Sequence, residues 1–96
     1  MIMNFKQLAD TFAILSSYNP NGFFDDWAEH DEWGIHLENV NLSPEDIRAL
    51  AEMGWGLGSD GDYDEEEMKP WYNPKDYTTE EIVEVYNNYK AIYKYA

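Results

Sequence analysis

The spacing of apolar residues changes several times along this 96-residue chain, and each change marks an element. Phe5, Leu8, Ala9, Phe12 and Leu15 recur at the spacing of one helical face, which predicts a first helix over residues 4–17 with Asn4 as its cap. The run Tyr18-Asn19-Pro20-Asn21-Gly22 stops it, because proline cannot continue a helix and Asn and Gly favour turns. Phe23, Phe24 and Trp27 lie among Asp25, Asp26 and Glu29 and suggest a short helical turn with its aromatics inward. Residues 33–38, WGIHLE, alternate large apolar with small or polar positions, the period of a half-buried strand.

Ser43-Pro44-Glu45-Asp46 opens a second helix: a capping serine, a proline at the first helical position, and acids where the dipole favours them. Ile47, Leu50, Ala51 and Met53 form its buried face, and Gly54 suits the left-handed position that ends it. Residues 55–57 then predict a second strand, residues 58–67 a glycine-rich acidic loop, and residues 68–72 an edge strand, since Pro70 removes a ladder donor. Thr78 and Glu81 have capping-box spacing. After them Ile82, Val85, Tyr86, Tyr89, Ile92 and Tyr93 make a helical stripe, with Lys90 and Lys94 in the closing turns. Together these predict one compact α+β domain over residues 1–96, with three helices and a two- or three-stranded antiparallel sheet.

Charge sharpens this picture. The chain has 20 acids and 6 bases, a net charge of -14. Residues 7–68 hold 16 of the acids and one base, Arg48; the remainder holds 5 lysines and 4 acids. Such a field repels nucleic acid and anionic membranes and attracts basic surfaces, over a Debye length of roughly 8–10 Å. Direct binding to nucleic acid or to a membrane is therefore not expected. The chain has no cysteine, which excludes thiol nucleophiles and cysteine metal sites and sits comfortably with a reducing compartment. The start, MIMNFKQLAD, lacks the basic flank and apolar run of a secretory signal, so a cytoplasmic protein is expected.

The stretch Ala28-Glu29-His30-Asp31-Glu32 is followed by a short strand. Leu42-Ser43-Pro44-Glu45-Asp46 then leads through Leu50 to Glu52-Met53-Gly54-Trp55. This arrangement resembles a group of short acidic bacteriophage proteins, in which an AEHDE stretch precedes an sEeD...LeelGW stretch and an acidic turn ending in a tryptophan. Here that turn is residues 58–67, longer and more acidic than the group's pattern, with Trp71 closing it. The resemblance covers about half the chain. It implies a phage origin and action inside a host bacterium, where phage proteins that blunt restriction or CRISPR systems often present acidic surfaces.

Two acidic clusters are the candidate partner-binding groups. The first is Asp25, Asp26, Glu29, Asp31, Glu32 and Glu38; the second is Asp60, Asp62, Asp64, Glu65, Glu66 and Glu67. Carboxylates spaced like successive phosphates can occupy the Lys and Arg groove of a nucleic-acid-binding protein; their plainer role is a solvated surface that keeps a small protein soluble. Tyr63, Trp71, Tyr72 and Tyr77 flank the second cluster and are candidate aromatic anchors, since Trp and Tyr are enriched at interface hot spots.

Other motifs fall short of a chemistry. Asp60-Gly61-Asp62-Tyr63-Asp64 has the alternating acids of a calcium loop, but Glu65 and Trp71 stand where an EF-hand needs its glycine and its bidentate glutamate. Residues 56–61, GLGSDG, match G-x-G-x-x-G, yet they lead into acids that repel a pyrophosphate. His30 and His36 have no serine or cysteine nucleophile at a recognisable spacing. No cofactor, metal or catalytic residue is expected. What remains is an acidic binding protein whose partner is a bacterial nucleic-acid-binding protein with a basic surface, a module that binds through aromatic and apolar contacts with the acids for steering and solubility, or a protein whose acidic loop binds a cation weakly.

Overall fold

The computed structural model describes residues 4–18, 25–27, 32–38, 40–58 and 65–95. Among them are four helices and four strands: α1 (Phe5–Tyr18), β1 (Asp25–Trp27), β2 (Glu32–His36), α2 (Pro44–Glu52), β3 (Gly56–Leu57), α3 (Glu65–Tyr72), α4 (Thr79–Asn87) and β4 (Ala91–Tyr95), with a 3-10 turn at Pro74–Asp76 before α4. The strands form one antiparallel sheet in the order β1-β2-β4-β3. The class is the α+β one that the sequence predicts; α3 and the extra strands enlarge it.

Cap chemistry sets the helix starts. Asn4 and Gln7 exchange bonds: the Gln7 amide donates to Asn4 Oδ1 at 2.8 Å and the Asn4 amide to Gln7 Oε1 at 3.0 Å. The Asp46 amide donates to Ser43 Oγ at 3.2 Å, with Pro44 in the first turn of α2. Thr78 and Glu81 form the full capping box at α4. Each such cap satisfies backbone donors that the helix itself cannot, at about 0.5–2 kcal/mol.

The register places Ile35, Ile92 and Leu57 side by side across β2, β4 and β3. All three are buried, and they join Ile47, Leu50, Trp55, Met68, Trp71, Ile82, Val85 and Tyr86 in one hydrophobic cluster that α2, α3 and α4 close over the sheet. The neighbouring row of the register is Gly34, Tyr93 and Gly56. Tyr93 is buried with its ring against Gly56, where a Cβ would stand 2.4 Å from Cε1. Glycine is required there by close approach.

Four local expectations are corrected. The face of α1 is turned: Thr11 is its buried residue, Leu8 and Leu15 pack against the core, and Phe5 and Phe12 are exposed. Thr11 Oγ1 accepts from the Trp55 indole at 3.0 Å and donates to the Gln7 carbonyl at 2.8 Å. A buried indole N–H needs an acceptor, so the one residue of α1 that supplies it goes inward. Residues 25–27 form strand β1 rather than a helical turn, because pairing with β2 satisfies backbone groups that an isolated turn would have to nucleate alone. Phe23, Phe24 and Glu29 lie outside the described residues.

Residues 68–72 are helical. Met68 and Trp71, three apart, bury on one face, and Glu65, Glu66 and Glu67 occupy the first turn where the dipole favours acids; Pro70 removes one backbone bond from this short helix. Finally, α4 stops at Asn87. Lys90 adopts φ 49, its amide bonding the Tyr86 carbonyl at 2.9 Å, and the chain leaves as β4. Ile92 and Tyr93 belong to the helical stripe by spacing, but as adjacent strand residues they face opposite sides of the sheet, and both find burial there.

Candidate functional site

The first acidic cluster is strung along the β1–β2 hairpin and its exit. Asp25 and Asp26 lie in β1, Glu32 opens β2, and Glu38 is exposed in the turn beyond it; Glu29 and Asp31 lie outside the described residues. Of the second cluster, Glu65, Glu66 and Glu67 are exposed in the first turn of α3, while Asp60, Asp62 and Asp64 lie outside the described residues. The described members sit on different elements, the first group on β1, β2 and the turn beyond and the second on α3. β1 is one edge of the sheet and β3, which leads towards α3, is the other. Three strand spacings separate these edges, about 14 Å.

The three glutamates of α3 are not equivalent. Glu66 pairs with Lys69 at 3.0 Å, which holds the Lys69 ammonium charged beyond its ordinary range by hydrogen bonding and then by charge attraction. Glu67 accepts from Asn88 Nδ2 at 2.7 Å and from the Tyr89 hydroxyl at 3.5 Å, tying α3 to the end of α4. Its carboxylate has a structural task. Glu65 carries no such contact among the described residues.

The aromatic candidates divide. Trp71 is buried, stacked on Tyr86 with ring centroids 6.0 Å apart, and its indole donates to the Trp55 carbonyl. It is a core residue and not a surface anchor, because the helical turn of α3 points it inward with Met68. Tyr72, one residue on, is 43% exposed, and Tyr77 is half-buried; Tyr63 lies outside the described residues. The most exposed large apolar side chain in the described structure is Phe5, at 90%.

Arg48 has a role that sequence reading missed. The one base in residues 7–68 donates to the Pro74 carbonyl at 2.6 Å, the Tyr77 carbonyl at 3.3 Å, Thr79 Oγ1 at 3.0 Å and Glu52 at 3.2 Å. It binds α2 to the turn that starts α4. Its position in the second turn of α2 was visible, but nothing in a sequence marks distant backbone carbonyls as acceptors.

The other motifs gain no site geometry. His36 is exposed at the end of β2, and His30 lies outside the described residues. Gly56 and Leu57 of the glycine motif are strand β3, Gly58 has φ 73, and the next described helix opens on three glutamates rather than at a phosphate cradle. Among the described residues no group of three His, Cys, Asp or Glu is placed to hold a metal ion, and no helix is long and apolar enough to cross a membrane. No protein-family model, curated protein or solved structure matches the chain.

Proposed function

We propose that this chain is a binding protein whose acidic surface occupies the basic, nucleic-acid-binding surface of another protein. The supporting observation is the pairing of a net charge of -15 over residues 7–68 with the placement of the one base in that span, Arg48, on the carbonyls of residues 74 and 77. Among the described residues the ion pairs are Lys6–Asp10, Arg48–Glu52 and Lys69–Glu66, so the bases present offset few of the acids. A surface charge of about 2–8 in magnitude suffices for solubility, so the excess is consistent with a cationic target. Asp25 and Asp26 lie on edge strand β1 and Glu65 on helix α3, an arrangement on separate elements that favours two contacts over a single continuous phosphate-like path.

The resemblance to acidic phage proteins directs this proposal to a bacterial defence or replication protein as the target and to the host cytoplasm as the place of action. A second reading rests on the exposure of Phe5 and Tyr72: a partner held through aromatic contacts, with the acids speeding encounter.

Pull-down from bacterial lysate with a rising salt gradient separates the two. A nucleic-acid-binding protein released at moderate salt supports the charged interface, since each counterion-linked contact steepens the salt dependence. A partner that stays bound at high salt and leaves on Phe5→Ser overturns it in favour of the aromatic interface.

A further inference from the structure

Besides the two clusters, the described surface has an open groove between the start of α2 and the outer face of α4. Pro44, Thr79, Glu80, Val83, Glu84 and Asn87 line it, and its volume is about 330 Å³. Ligand pockets run from about 300 to 1,000 Å³, so this open groove suits one long side chain better than an enclosed small molecule. The exposed lining is mainly apolar. Val83 is half-buried and packed on the core cluster, which fixes the floor.

Two carboxylates border that floor. Glu80 and Glu84 are exposed and one helical turn apart, a like-charge spacing that costs a helix about 0.2–0.5 kcal/mol. Neither makes an ion pair or side-chain hydrogen bond with a described residue. Arg48 reaches Thr79 Oγ1, but its guanidinium is already engaged by Glu52 and by the Pro74 and Tyr77 carbonyls. An apolar strip beside two carboxylates that pair with no described residue is complementary to a side chain with an aliphatic stem and a cationic head. An anion meets repulsion there, and a neutral apolar group leaves the carboxylates unrelieved.

We infer that this groove takes an arginine side chain from a basic segment of a partner protein, its stem along Pro44 and Val83 and its guanidinium at Glu84 and Glu80. The inference rests on the charged-interface proposal for the partner's basic character, and it adds a specific seat. Arginine fits better than lysine because its planar fork can satisfy a carboxylate with two bonds and leave donors for the Asn87 carbonyl oxygen. Glu84 and Asn87 lie away from the first turn of α4, where the helix dipole favours anions.

The test is a titration of the full chain, labelled with nitrogen-15, at low salt. The probes are N-acetyl-arginine methylamide, its neutral isostere N-acetyl-citrulline methylamide, and methylguanidinium, which has the charge without the stem. The arginine probe is expected to give saturable shifts confined to residues 79–87 and the start of α2. The citrulline probe should bind about tenfold more weakly, the 1.4 kcal/mol scale of one charge-assisted bond. Methylguanidinium should bind about threefold or more weakly for want of buried methylenes.

Glu80→Gln with Glu84→Gln should abolish the shifts, while Asp10→Asn, on α1 and outside the groove lining, should leave affinity within about twofold. Shifts scattered over all exposed carboxylates, equal binding of methylguanidinium, or a loss with Asp10→Asn equal to that of the groove variant would overturn the groove. A lysate partner retained in full by Glu80→Gln with Glu84→Gln would also overturn it, and would leave the acidic-surface proposal standing.

Discussion

Tyr86 offers the sharpest test of the packing. It lies in α4 at 3% exposure, stacked on Trp71, and its hydroxyl is buried without a hydrogen-bond partner among the described residues. An unsatisfied buried polar group costs about 1–3 kcal/mol, whereas deleting one oxygen leaves a gap too small to lose much contact. Tyr86→Phe is therefore expected to stabilise the fold by about 1 kcal/mol. For a domain of this length that raises Tm by roughly 4–8 °C.

Alkaline pH gives an independent check on the same residue. Burial pushes the Tyr86 phenol up to about 12, from an ordinary value of 10.0. A raised folded-state value means that the stability is whole below pH 10, where both states are protonated, and is lost between pH 10 and 12 as only the unfolded state ionises. The loss approaches about 1.4 kcal/mol per pH unit for one group. Phenylalanine removes this term, so the advantage of Tyr86→Phe over the parent should widen across that window. Urea denaturation at pH 7 and pH 11 measures both quantities. A variant less stable by 1 kcal/mol or more at pH 7, or a gap that narrows as pH rises, would refute the description of Tyr86 as buried and unpaired.

Three further outcomes follow from geometry already described. Gly56→Ala puts a Cβ 2.4 Å from the Tyr93 ring and should lower stability by about 1–3 kcal/mol in thermal denaturation, with much of the loss relieved in the double variant with Tyr93→Val. Lys90→Gly relaxes a left-handed residue and should raise stability by about 0.5–1 kcal/mol, with Lys90→Ala giving no such gain. Arg48→Lys keeps the charge but loses the fork that reaches two carbonyls and Thr79, and should cost about 1.5–3 kcal/mol by urea denaturation, a loss that high salt does not erase.

The sequence was most legible where local chemistry alone decides structure. Ser43-Pro44 and the Thr78–Glu81 box start α2 and α4 because their bonds are made within one turn. Gly54, at φ 94, ends α2 for the same local reason. Legibility failed where a distant partner outweighed periodicity. The inward face of α1 depends on Trp55, 44 residues away. β4 is a strand because β2 and β3 flank it, although its apolar residues continue the period of α4. The helix α3 was hidden by Pro70, which a short helix tolerates at the loss of one bond.

For the candidate site, the acids could be counted but not sorted. Nothing local distinguishes Glu67, committed to Asn88 and Tyr89, from Glu65 two residues earlier. Trp71 was misassigned for the same reason as α3, since strand parity and helical turn send that side chain to different places. The pairing of Glu80 with Glu84 was readable as a helix face, whereas the apolar strip beside it needed Pro44 from a different helix.

The sheet order has a consequence for how the protein is made. β4 joins the β1–β2 hairpin to β3, yet of the described elements it leaves the ribosome last. Until residues 91–95 emerge, β3 has no neighbour in the sheet and the hairpin has an open side. Every register pair made by β4 spans 35 or more residues, from Leu57 with Ile92 in β3 to Glu32 with Tyr95 in β2. The nascent helices α2 and α4 can form as they appear, but the sheet must close in one late step, the kind of non-local closure that slows folding. A nascent chain whose residues 91–95 are not yet free therefore has capped helices and a sheet still missing its central strand.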